Sequence, residues 1–311
     1  MDALSEVLET VHLESVVCRR VELSAPWGLQ FGSYDGAVFF VVSRGSCWLE
    51  AESVDSSLPL ATGDFVVLPR GQKHILRDDP NSFSAAGEDW LLTSDDLTQQ
   101  ISPFKRSGLS TTLIYGRLHL DGLTANPILA VLPPMIVVRG EEEQALPWLS
   151  TTLQLIACEM ISARPGAHTV ISHLAGILFI HAVRVYIANK EQIGRCWLRA
   201  LTDPHIGRAL TLMHRFPEKP WTVASLATDV GISRSAFATE FRELVGEPPL
   251  QYLTRWRMHK AAGWLRQGQK TLAEIATLVG YESEAAFSNA FKRWMHQSPG
   301  SYRLSARAIA S

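Results

Sequence analysis

Two stretches, residues 234–244 and 284–294, carry the side chains best suited to recognising another molecule. The second holds Ala285, Ser288 and Asn289 on one face, with Lys292 and Arg293 close behind. The first holds Ser235, Ala238 and Thr239, with Arg234 at its start. A carboxamide such as that of Asn289 can bond an adenine edge through two atoms, and the methyl of Ala238 suits the methyl of thymine. These six small or polar residues are candidates for base-edge contact. Arg234, Lys292 and Arg293 are candidates for phosphate contact, joined by Ser233 and Ser283 where backbone amides at a helix start face outward. The chemistry such residues could do is non-covalent recognition of base edges and phosphates.

Such residues need rigid elements behind them, and an internal repeat supplies these. Thr222 opens a run with Val223, Leu226, Ala227 and Val230, and Thr271, forty-nine residues later, opens another with Leu272, Ile275, Ala276 and Val279. Apolar residues at i, i+3, i+4 and i+7 form one stripe of a helix. Each threonine is an N-cap, and Thr271 with Glu274 makes a capping box. Gly231 and Gly280 end these helices within tight turns, where a positive φ is needed. Ser233 and Ser283 then cap a second helix in each unit, whose Phe237 and Phe241, or Phe287 and Phe291, face inward. The opposite face is left free to enter a major groove of double-stranded DNA. The spacing predicts helix-turn-helix units at 222–245 and 271–295. A helix from Pro248 and Pro249 through Leu250, Leu253, Trp256, Ala261 and Leu265 joins them, placing the recognition helices about 34 Å apart.

Charge agrees with this division. The chain of 311 residues has a net charge of −2, but residues 1–194 hold 13 Lys and Arg against 22 Asp and Glu, and residues 195–311 hold 16 against 9. That is −9 against +7, so the basic half is the one suited to a polyanion. The length suits two domains, and no apolar run is read as a membrane span. The N-terminus shows neither a basic region nor a secretory apolar core, so a cytoplasmic protein is expected. Cys18, Cys47, Cys158 and Cys196 are far apart, which argues against a zinc knuckle or a disulfide framework.

Residues 1–140 read as short strands, at 37–42, 47–51, 65–68 and 112–120, bounded by turns such as Gly63 and Asp64 or Pro69 and Gly71. A small antiparallel barrel or sandwich is expected. From 141 to 190 the period becomes helical. Leu149, Leu153, Ile156 and Met160 mark one helix, and Val170, Leu174, Ile177, Leu178, His181 and Ala182 one side of a second. Such a hairpin favours a homodimer, with a helical lid as the alternative. The domains expected are a β-rich sensor at 1–190 and an all-α domain at 200–311.

Gly231, Ser233, Phe237, Gly246, Pro248, Pro249, Tyr252, Arg257, Gly280, Ser283, Phe287, Pro299 and Tyr302 closely resemble the motifs of the AraC/XylS regulators over about 203–303. Gly45, Cys47, Trp48, Leu49, Gly63, Asp64, Pro69, Gly71 and His74 resemble the cupin sensor domain of one branch of that family. The resemblance implies a regulator of bacterial gene expression, with RNA polymerase as a further partner and a small molecule or an oxidant as the signal. Metal-dependent cupins place a His-x-His and Glu cluster before this region. Here 37–42 contains no His, so His74 is expected to line or support the barrel, with no metal and no cofactor. Some branch members sense oxidants through a cysteine pair, of which Cys18 fills the first place and 112–116 offers no second. Arg19 and Arg20 would lower the pKa of Cys18, making it the more oxidant-sensitive thiol, with Cys47 as the partner it could reach. A ligand pocket in the barrel is the competing reading of the sensor. The competing reading of the whole chain is a metal-dependent cupin enzyme fused to a helical domain, which would need a metal cluster or a catalytic constellation.

Overall fold

The structure is a computed structural model that describes residues 4–5, 13–52, 56–86, 109–120, 131–140, 147–162, 164–189 and 197–309. It contains two compact units, one of His12–Leu123 with Leu132–Ala188, the other chiefly Asn189–Ser311.

In the first unit, β-branched and aromatic runs form β1 (Leu13–Ser24), β2 (Gly28–Phe31), β3 (Ala37–Arg44), β4 (Ser46–Ala51) and β5 (Leu58–Ala61). They are followed by β6 (Phe65–Leu68), β7 (His74–Arg77), β8 (Ala85–Ala86), β9 (Ser110–Leu120) and β10 (Ile136–Val138). Two five-stranded sheets result, in the orders β1-β9-β3-β6-β10 and β5-β4-β7-β2-β8. The pairings are antiparallel except for the parallel β2–β8 pair. Alternate residues line the core between them: Val38, Phe40 and Val42 of β3, Leu113 and Tyr115 of β9, Cys47 and Leu49 of β4. On the other side of β3, Phe39 pairs in register with Gly116, where a Cβ would stand 2.2 Å from the phenylalanine ring. Only glycine admits that ring. Asp64, buried in the turn flagged by sequence, accepts from Ala61 N at 3.0 Å and Gly140 N at 2.8 Å. It also pairs with Arg139 at 2.8 Å, which ties the end of β10 to the β5–β6 turn.

Helices α1 (Pro147–Ser162) and α2 (Ala167–Ala188) pack on each other and on β1. Leu149, Ile156 and Met160 of α1 are buried, as their spacing predicts. The packed face of α2 differs from the expected one: it buries Ala167, Ile171, Ala175, Leu178, Ala182 and Tyr186, while Val170 and Ile177 are exposed. Apolar residues lie on every side of this helix despite its few polar ones, so periodicity selects no single face, and small alanines lie on the side that packs. α2 is also long and apolar enough, by length and composition, to cross a membrane. That corrects the sequence reading that no run reaches this length, although the helix buries nine residues within its own unit.

The second unit is helical: α3 (Trp197–Ala200), α4 (Ile206–Arg215), α5 (Val223–Val230), α6 (Arg234–Val245), α7 (Pro249–Gln267), α8 (Leu272–Leu278), α9 (Glu284–Met295) and α10 (Pro299–Ile309). α4 starts later than expected from Asp203 and Pro204, with His205 at its N-cap position; Asp203 still accepts from His205 N at 2.9 Å and Ile206 N at 2.8 Å at this helix start. The first half of α7 buries Tyr252, Leu253 and Trp256, with Tyr252 meeting Phe241 of α6. Its second half buries Met258, Ala261, Ala262 and Leu265 among Ile275, Val279, Phe287 and Phe291.

Candidate nucleic-acid interface

Local hydrogen bonds fix the start and end of each repeat. Thr222 Oγ1 accepts from Ser225 N at 3.0 Å, and Ser225 Oγ accepts from Thr222 N at 2.9 Å, so α5 has a capping box built from two hydroxyls. Thr271 Oγ1 accepts from Glu274 N at 3.2 Å, and Glu274 Oε2 accepts from Thr271 N at 2.7 Å. That backbone bond holds the Glu274 carboxyl below its usual range. Gly231, at φ 81°, donates to Ala227 O while Ile232 N reaches the same carbonyl at 3.1 Å. α8 ends one residue earlier, at Leu278, with Gly280 at φ 76° and Tyr281 N bonded to Ala276 O at 2.9 Å. Ser233 and Ser283 then cap α6 and α9, each accepting at 3.2 Å, from Ala236 N and Ala286 N.

The inward face of each second helix is closed, with Phe237, Phe241, Phe287 and Phe291 all 0% exposed. The opposite faces are open. On α6, Arg234, Ser235 and Thr239 are exposed and Ala238 half-buried; on α9, Ala285, Asn289, Lys292 and Arg293 are exposed and Ser288 half-buried. A constant offset of fifty matches Ser235 to Ala285, Ala238 to Ser288 and Thr239 to Asn289. It also matches Lys292 to Arg242, an exposed cation that sequence reasoning missed and that the repeat alone could have found. Among the described residues, Arg234, Arg242 and Lys292 form no salt bridge, so their charge is not spent internally. Each unit thus presents a stripe at i, i+3, i+4 and i+7 that mixes short readers with one terminal cation. This arrangement can hold base edges and phosphates together.

The first unit corrects one expectation. Cys18 is buried, and burial pushes its thiol up to about 12 against the weaker opposing pull of Arg19. Its Sγ lies 3.9 Å from Met160 Sδ of α1. Val21 and Leu23 of β1 face the inner core, so strand alternation turns Cys18 outward toward the helices. Cys47 belongs to the inner core on the other sheet, its thiol likewise raised to about 12 by burial. The strand alternation therefore directs the two thiols to different faces, and neither has the low pKa expected of Cys18.

His74 is enclosed within the barrel, its Nδ1 2.9 Å from Gln72 O and its Nε2 3.3 Å from the Tyr115 hydroxyl. Its ring stacks on Phe31 at 4.8 Å, so it supports the aromatic core. Among the described residues no three His, Cys, Asp or Glu side chains converge as metal ligands. A cavity of about 430 Å³ opens along β2, β4 and β7, and its lining includes Phe31, His74, Gln30, Glu50, Glu52 and Lys73. Glu50 within it is held by Arg77 at 3.4 Å and by the Ser57 hydroxyl at 3.3 Å.

Comparison with known proteins agrees with both units. A cupin family model matches residues 2–188, and a helix-turn-helix domain model matches residues 226–305. A protein of Streptomyces lividans, whose name assigns it to the AraC-like transcription regulators, is 35% identical over 97% of this chain and 98% of its own. The HTH-type transcriptional regulator AlkR of Acinetobacter baylyi is 34% identical over 97% of this chain and 99% of its own. Among solved structures, the DNA-binding domain of AdpA, in complex with a target DNA, is 30% identical over 35% of this chain and 96% of that chain, with a TM-score of 0.33.

Proposed function

The chain belongs to the AraC-like transcription regulators that join a cupin domain to a DNA-binding helix-turn-helix domain, and we propose that α6 and α9 read two neighbouring stretches of major groove. The observation that carries this reading is the pair of matched open faces, Ser235, Ala238, Thr239 and Arg242 on α6 and Ala285, Ser288, Asn289 and Lys292 on α9, each backed by a closed phenylalanine pair. Asn289 reads an adenine, Ala238 a thymine methyl, and Arg234, Arg242, Lys292 and Arg293 hold phosphates beside the capped helix starts at Ser233 and Ser283. The protein acts by binding in the cytoplasm, where its DNA and RNA polymerase lie, and not by catalysis. The cavity beside His74 has the size of a small-ligand site, and a small molecule bound there is the signal best supported. A homodimer through α1 and α2 is in keeping with the apolar residues that both helices expose, Leu155 and Ile161 on one and Val170 and Ile177 on the other.

The test is selection of duplexes from a random pool by the full-length protein. The expected product is a bipartite consensus with two half-sites one helical turn apart, bound with affinity that falls steeply as salt rises. Enrichment of no consensus, or of a single short half-site, refutes the two-groove reading.

A further inference from the structure

Gly231 and Gly280 hold the same place in the repeat and share a left-handed backbone, with φ of +81° and +76°, but their surroundings differ. A Cβ added to Gly231 meets nothing within 4 Å, whereas one added to Gly280 stands 2.5 Å from Glu218 O and 2.9 Å from Arg257 Nη2. Glu218 belongs to the turn between α4 and α5, which leads into the first helix-turn-helix unit. The turn of the second helix-turn-helix unit therefore rests, backbone against backbone, on the segment that leads into the first.

Arg257, near the middle of α7, completes this junction. Its Nε donates to Pro217 O at 2.7 Å and its Nη2 to Lys219 O at 2.8 Å, both in that same turn. Its guanidinium carbon lies 6.0 Å from the ring centroid of Tyr281, the residue after Gly280. The turn that receives it is itself stiff: Trp221 Nε1 donates to Phe216 O at 2.9 Å, and Lys219 Nζ stands 4.2 Å from the centroid of the Phe216 ring. No atom lies within 4 Å of a Cβ added to Gly231, so nothing comparable backs the turn of the first helix-turn-helix unit. The junction is a feature of the second unit only.

A single helix joining two bodies fixes their separation well and their relative rotation less well, because bending and rolling about one axis meet little resistance. A contact away from that axis removes this freedom. The fork of a guanidinium, which holds two carbonyls at once, resists rotation in a way that one ammonium point charge does not. Rotation matters here because one added base pair moves a half-site by about 3.4 Å along the duplex and by about 35° around it.

We propose that the Arg257–Gly280 junction sets the half-site spacing this protein accepts, with Arg257 as its positioning residue. This rests on the reading that α6 and α9 both enter the groove. The test uses full-length protein and the duplex it selects, together with duplexes lengthened or shortened by one or two base pairs between half-sites and duplexes with one half-site scrambled. Wild type is expected to lose about tenfold or more on insertion of one base pair, and Arg257→Ala about threefold or less, with single-half-site affinity within about twofold of wild type. Gly280→Ala is expected to follow Arg257→Ala. Gly231→Ala, which carries the same backbone strain without the close contact, keeps the wild-type ratio. Arg257→Lys, the mildest change, falls between and provides the reading if either larger change prevents folding. An unchanged spacing ratio in Arg257→Lys and in every folded variant at Arg257 or Gly280 overturns the positioning role while leaving two-groove binding intact. Wild type that is indifferent to scrambling one half-site fails the two-groove reading itself, and the proposal with it.

Discussion

His214 Nε2 and the Tyr252 hydroxyl stand 2.7 Å apart, between α4 and the first half of α7, with His214 0% and Tyr252 2% exposed. Trp256 stacks on the same imidazole at 4.0 Å, so one polar contact is enclosed by aromatic surface. A buried hydrogen bond of this kind is worth about 0.5–1.5 kcal/mol net. Tyr252→Phe keeps the ring but takes the hydroxyl away from a fully buried ring nitrogen, so it is expected to destabilise the second unit by about 1–3 kcal/mol, more than that net value, measured by urea denaturation followed through tryptophan fluorescence. No change in midpoint would show that the bond contributes nothing to folding.

Asn289 and Lys292 lie one turn apart on α9 but are expected to fail differently when truncated. Asn289→Ala should relax preference at one base pair and cost about 1–3 kcal/mol on the selected site. Lys292→Ala and Arg242→Ala should each weaken binding to all sequences alike and flatten the salt slope by about one. Affinity measured on matched, single-mismatch and unrelated duplexes over a salt series separates the two effects. A consensus unchanged in Asn289→Ala removes its base contact.

The second unit was legible because its signals are local. Caps, turn glycines and phenylalanine pairs each act within a few residues, and the same signals occurring twice reinforced one another. Ser225 as the partner of Thr222 escaped notice because a hydroxyl at that place is less diagnostic than Glu274. Arg242 escaped because a lone exposed cation is usually only solvated. In the first unit β3 and β6 were clear from their apolar runs, whereas β2, β5 and β8 are too short to carry a period. The face of α2 was illegible for the opposite reason, since apolar residues on every side of a helix give no single direction. Cys18 shows the sharper limit. Adjacent Arg19 and Arg20 are visible in sequence, but the burial of this thiol beneath α1 is a tertiary fact, and it outweighs them.

That burial makes a prediction about thiol chemistry. With pKa values raised to about 12, Cys18 and Cys47 are almost wholly protonated at neutral pH, while Cys158 is exposed on α1. Since the thiolate is the reactive form, alkylation of the native full-length protein should label Cys158 well before Cys18 or Cys47, which react only after denaturation. Peptide mapping by mass spectrometry after a timed iodoacetamide pulse reads this order. Rapid labelling of Cys18 in the native state would restore it as a candidate redox sensor, and DNA binding by Cys18→Ser with and without hypochlorite would then be the next comparison.

His259 on α7 provides a pH dependence. Burial, reinforced by Arg255 and then Arg266, pushes its pKa down to about 4 from an ordinary 6.5. The imidazole is therefore neutral in the folded protein where the unfolded chain would bind a proton. Between pH 6.5 and 4 the unfolded state holds more protons, so stability falls as pH falls through this window and is unaffected by this group above it. The upper bound is about 3 kcal/mol at the acid end, and residual water at a ring that is only half-buried reduces it. His259→Gln removes the titration while keeping a polar side chain of similar length. Urea denaturation at several values between pH 4.5 and 7 should show the transition of the second unit losing stability less steeply with acid in the variant than in wild type. Parallel slopes would place the acid sensitivity on other groups.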